Sequence, residues 1–345
     1  MKKDINWINA VKAICMLMVY VVHCQSYYGQ WLSHVNVFLH PVYVNAFFFV
    51  SGYLMFRKQL SQPVVDEPYA QYISISGTGR KTLSNIVFRL WLPALLFSIV
   101  CFLPNMMLKG GSSLAGSFLY KTLGGGTYWF VGALLVCQLF ILALLLTRRR
   151  NVWFYAVVLF LTAIAGTFAL PYYGSIPNYY AFQLAPLSMS FLALGALYWR
   201  YEPPHTSLLT LLVLAVVYLA YFILLRHDAL TLISMGLFNF TGFVGSAIGC
   251  LLMVAVCKRL PRIGFLTFIS RNSIVFYFMS GGVPVVVNLL FKRLIPVPGI
   301  IDLLVYIIVC VVIAAAITWV IARYLPFLTD LRKIKRTKSQ NIKTI

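Results

Sequence analysis

In the first apolar stretch of the chain, INAVKAICMLMVYVVHC, a cation and an imidazole stand eleven residues apart: Lys12 and His23. At about 100° per residue this offset is almost three full helical turns, so both side chains share one face, about 16 Å apart along the axis. They are too distant to touch. Asn9, Met16, Tyr20 and Tyr27 fall on the same stripe, in a helix otherwise made of Ile, Val, Leu and Ala. An ionisable group facing lipid costs several kcal/mol, so the stripe is predicted to face a protein interior or an aqueous cavity. The chemistry it offers is proton abstraction from a hydroxyl by His23, with Lys12 available to an anion.

Other reactive residues are few. There are 7 acids in the chain and 5 histidines, and by our placement of the spans only His23 lies in a helix. His34 and His40 are read as the first outer loop, and Asp302 and Asp228 on the outer side are candidate orienters of His23. The scarcity of buried carboxylates weighs against a proton antiporter. The 7 cysteines form no CxxC and no cysteine-histidine cluster, which predicts neither a disulfide framework nor a metal. Arg89 and Arg271 open later apolar stretches and serve either a ligand or lipid phosphate.

The elements that must carry these residues follow from composition. The chain is 61% apolar and 10% charged, with mean hydropathy +0.87. Its apolar runs approach or exceed the roughly 20 residues that cross a bilayer. We read an all-α, polytopic transmembrane helical bundle of about ten helices, near 7–28, 37–56, 86–106, 128–147, 152–170, 180–199, 207–225, 232–257, 268–290 and 301–322. Of the 28 Lys and Arg residues, 19 fall on the side of the termini and 5 opposite. This asymmetry places both termini in the cytoplasm. Lys12 is then near the cytoplasmic surface and His23 toward the outer half, an order that suits an anionic ligand entering from the cytoplasm.

Residues 1–330 are read as one membrane domain and 331–345 as a basic cytoplasmic tail. No cleavable signal peptide is expected, since Lys12 interrupts the first apolar run. The net charge of +21 is spread over short loop clusters, so it is read as topology and contact with the lipid bilayer, not nucleic acid. The segment 57–85 is either a solvated connector or, through Arg80 and Lys81, a loop that closes on an anion.

Several of these stretches also resemble one family in its order. KAICMLMVYVVHC is similar to the first helix of the acyltransferase 3 family of bacterial membrane acyltransferases, marked by Arg or Lys, ten residues, then His. FFFVSGYLM (47–55) resembles its second helix, with a Ser-Gly-aromatic step at Ser51, Gly52 and Tyr53. FRLWLPALL, with Arg89 and Pro93, resembles the opening of the third; YWFVGALLV (128–136) resembles the Trp-Phe segment, and ISRNSIVFY (269–277) the late segment ending in Tyr.

The resemblance implies a membrane-bound enzyme of the bacterial inner membrane that moves an acetyl or succinyl group from acyl-CoA to a hydroxyl of an envelope polysaccharide or lipid-linked sugar. It implies His23 as catalytic residue, Lys12 as its motif partner, Arg89 as a contact to CoA phosphates, and Ser51 and Trp129 at substrate. The chain departs from the family's basic pair at Ile86, so the CoA contact implied there either passes to Lys81 or is weaker. Ser280 stands where many members carry a second His. Tyr20, one turn before His23, is a candidate to orient the imidazole or to donate to the thioester oxygen. His23 acts as general base or carries the acyl group transiently; the residues leave both open. The competing reading is a glycan exporter that uses the stripe as a wet path and needs no base.

Overall fold

Lipid offers no hydrogen bonds to a backbone, so a spanning chain satisfies its amides within helices. The computed structural model describes residues 5–28, 33–60, 68–74, 77–109, 118–173, 176–203, 206–226, 240–294 and 299–330. Its helices are α1 (Asn6–Tyr28), α2 (Ser33–Leu60), α3 (Tyr69–Ile73), α4 (Thr78–Ile86), α5 (Leu92–Lys109), α6 (Trp129–Leu145), α7 (Val152–Ala169), α8 (Ala185–Tyr201), α9 (Leu208–Arg226), α10 (Phe240–Arg259), α11 (Gly264–Arg271), α12 (Ser273–Leu294) and α13 (Ile300–Tyr324). Nine helical stretches among the described residues are long and apolar enough to cross a membrane, and α9 supplies a shorter one over Leu208–Leu224. The protein is all-α and multi-pass, as the apolar runs predict.

Three boundaries differ from the sequence reading, each for a physical reason. α2 begins at Ser33, so His34 and His40 lie inside a helix and not in a loop, and Pro41 is held within the same helix. The third span is entered through α4, which joins α5 by the π-helical turn Val87–Trp91. Arg80, Lys81 and Thr82 hid this amphipathic start from a hydropathy reading, and Arg89 therefore lies well inside the helix. The ninth span is broken: Asn272 has φ −111° and ψ 19°, separating α11 from α12. The segment 57–85 is not a plain connector, since α2 reaches Leu60 and α3 and α4 follow. The described residues end at Asp330, so the tail, residues 331–345, lies outside them.

Packing divides the chain into two compact units, residues 1–55 with 190–318 and residues 56–189 with 319–345. In the first, α1 packs chiefly on α12, α11 and α10. Ala13, Met16, Tyr20 and Cys24 of α1, Phe276, Val283 and Val287 of α12, and Leu303, Tyr306 and Cys310 of α13 form its buried core. Between membrane helices close packing and interhelical hydrogen bonds replace the hydrophobic drive, and small residues permit the approach. α2 and α8 show this reciprocally. A Cβ on Gly52 would lie 2.2 Å from the Leu192 carbonyl oxygen, and one on Gly195 would lie 2.0 Å from that of Phe49.

In the second unit α4 and the π-helical turn pack on α6, and α5 packs on the turns between Leu119 and Tyr128. The Tyr180 backbone lies against Gly132, and its hydroxyl accepts from Trp91 Nε1 at 3.0 Å.

Candidate active site

The stripe of α1 faces protein, as predicted, and the broken pair α11 and α12 is what it meets. Lys12 Nζ donates to the Ser270 carbonyl oxygen at 2.9 Å, at the end of α11. A cation there meets the negative end of the helix dipole. Ser270 Oγ in turn donates to Asn9 Oδ1 at 2.9 Å. Farther along, Tyr20 is fully buried, donates its hydroxyl proton to the Phe276 carbonyl oxygen at 2.9 Å, and sets its ring edge-on to Phe276 with centroids 6.0 Å apart. Residue numbers rise together along both partners, so α1 runs parallel to α12.

His23 lies one turn beyond Tyr20 and is half-buried. Among the described residues its imidazole has no hydrogen-bond partner. The next residue, Cys24, is sealed into the core with Val283, Val287 and Cys310. The stripe thus runs from a cation held by Ser270, past a buried phenol whose proton is committed, to an imidazole with no hydrogen-bond partner among the described residues.

Ser51 is half-buried in α2, beside Gly52 at the α2–α8 crossing. The other sequence-selected residues belong to the second unit. Arg89, on the π-helical turn, is exposed and pairs through Nε with the buried Asp330 at 2.8 Å. Lys81 is exposed on α4, and Trp129 is 41% exposed at the start of α6. Wide helical turns of the kind that carries Arg89 occur frequently at functional sites.

Sequence reasoning missed a polar clasp at the far ends of four helices of the first unit. Lys258 on α10 pairs with Glu202, just past α8, at 2.8 Å, and its ammonium lies 5.8 Å from the Trp7 ring and 5.1 Å from that of Tyr198. Tyr53 donates its hydroxyl proton to the same carboxylate. The only hint was Tyr53, which stands in the Ser-Gly-aromatic step; nothing local ties it to Glu202, 149 residues away. Asp302 accepts from the Gly299 amide at 2.8 Å at the start of α13. Asp228, His205 and His227 lie outside the described residues.

A family model described as an acyltransferase domain matches residues 5–323, from the start of α1 almost to the end of α13. The chain belongs to the acyltransferase 3 family. It is accordingly a membrane acyltransferase. No curated protein and no solved structure matches this acyltransferase.

Proposed function

We propose that this acyltransferase moves an acetyl or succinyl group from acyl-CoA to a hydroxyl of an envelope polysaccharide or lipid-linked sugar, in the inner membrane of a bacterium. The observation that carries the reading is His23: an imidazole on an intramembrane stripe, half-buried and without a hydrogen-bond partner among the described residues. His23 takes the proton of the acceptor hydroxyl as its oxygen attacks the thioester carbonyl carbon. The C–S bond then breaks and the thiolate of CoA leaves, recovering a proton. Arg89, with Lys81, is assigned to the CoA phosphates, where a guanidinium makes charge-assisted bonds to oxygen.

The test is transfer of radiolabelled acyl groups from acetyl-CoA and succinyl-CoA into extractable glycan, in membranes holding wild type or His23→Ala at matched levels. Label that needs His23 identifies the reaction and its donor together. Glycan export that depends on the protein, with no label from either donor, overturns the proposal.

A further inference from the structure

Lys12 is a cation inside a membrane-spanning helix, and among the described residues it has no carboxylate partner. The described acids are engaged elsewhere: Glu202 with Lys258, Asp302 with the Gly299 amide, and Asp330 with Arg89. A charge in such surroundings is costly unless a counter-charge or a helix end compensates it. The Ser270 carbonyl occupies one of its three N–H donors, leaving two for another acceptor.

Ser270 is the hub of this arrangement. It is 1% exposed and uses both ends, its carbonyl accepting from Lys12 and its hydroxyl donating to Asn9, one turn earlier on α1. The ammonium is thereby tethered to one point of the wall.

The distance to His23 then becomes informative. In acyl-CoA, thirteen bonds separate the thioester sulfur from the first phosphorus of the diphosphate. Three bonds of extended chain reach about 3.5 Å, so the arm spans about 15 Å. Lys12 and His23 are about 16 Å apart along the axis. A thioester reacting at His23 sets its diphosphate at the level of Lys12.

We infer that Lys12 seats the diphosphate end of the acyl-CoA arm, with Ser270 and Asn9 as the positioning residues that aim its ammonium. This rests on the acyl-CoA reading above. No motif residue of the resemblance includes Asn9, and Ser270 is 258 residues from Lys12 in the chain.

The test is equilibrium binding of radiolabelled CoA to the full chain in lipid nanodiscs, with uncharged pantetheine as competitor. Ser270→Ala and Asn9→Ala are each expected to weaken CoA about threefold to tenfold, the size of one net hydrogen bond. They should weaken pantetheine less. Because both remove the same bond, the double variant should be no weaker than either single one, and Ser270→Thr should keep wild-type affinity. Equal weakening of CoA and pantetheine, additive losses, or no loss would overturn the seat, as would a wild type that does not bind CoA. The acyl-transfer assay runs alongside: CoA bound in this pattern without transfer sinks the reaction and leaves the seat, whereas transfer with variants of wild-type affinity does the reverse.

Discussion

Tyr20 and His23 sit a turn apart, yet the structure gives them opposite chemical positions. The Tyr20 proton is already donated to Phe276, whereas the His23 imidazole is free among the described residues. Tyr20→Phe should therefore cost about 1 kcal/mol of stability, the value of one hydrogen bond, and lower kcat less than tenfold. A fall of a hundredfold or more, at an unchanged melting temperature, would instead make Tyr20 an acid of the reaction. The stripe itself was legible in the sequence because helical periodicity is local: eleven residues fix a shared face whatever packs against it. Ser270 was not legible, since nothing in a helical period names a partner from the other end of the chain.

At the scale of helices, two contacts set where the first unit's walls meet. Gly195→Ala should lower the melting temperature of the purified protein sharply, because its Cβ would fall 2.0 Å from backbone and no side chain can yield there. A melting curve like wild type would show that α2 and α8 separate at little cost. The Lys258 clasp behaves differently. Lys258→Met leaves Glu202 partly buried with Tyr53 alone, a loss of about 3 kcal/mol, and adding Glu202→Gln should restore part of it; an additive double variant would count against the pairing. Helix existence was well announced by composition, but helix starts were not. Ser33–Pro41 and Thr78–Thr82 carry polar or turn-forming residues that tertiary packing holds in helices, and hydropathy sees only the apolar part of each.

At the scale of the molecule, the last described residue of the chain, Asp330, holds Arg89 of the third span within one compact unit. If Arg89 serves CoA phosphate, Asp330 competes for it. Asp330→Asn should lower KM for acyl-CoA and Arg89→Ala should raise it, both measured as initial rates at fixed ionic strength; the same direction in both variants would show that the pair acts through structure alone. Basic-residue asymmetry and apolar runs made the multi-pass character plain, whereas the division into two units was hidden, because each is assembled from two separate stretches of the sequence. The first unit closes with Thr318 and the second with the residues that follow it.

That interleaving has a consequence for synthesis. Leu303, Tyr306 and Cys310, which complete the core beside the His23 turn, come from α13. Neither unit is whole until this helix has left the ribosome and entered the bilayer. A nascent chain halted before Ile300 carries the Lys12–His23 stripe and the α11 and α12 wall it meets, but still lacks the α13 residues that close the core around Cys24. Shielding of Cys24 from a membrane-permeant thiol reagent should thus appear late, as the final helix inserts.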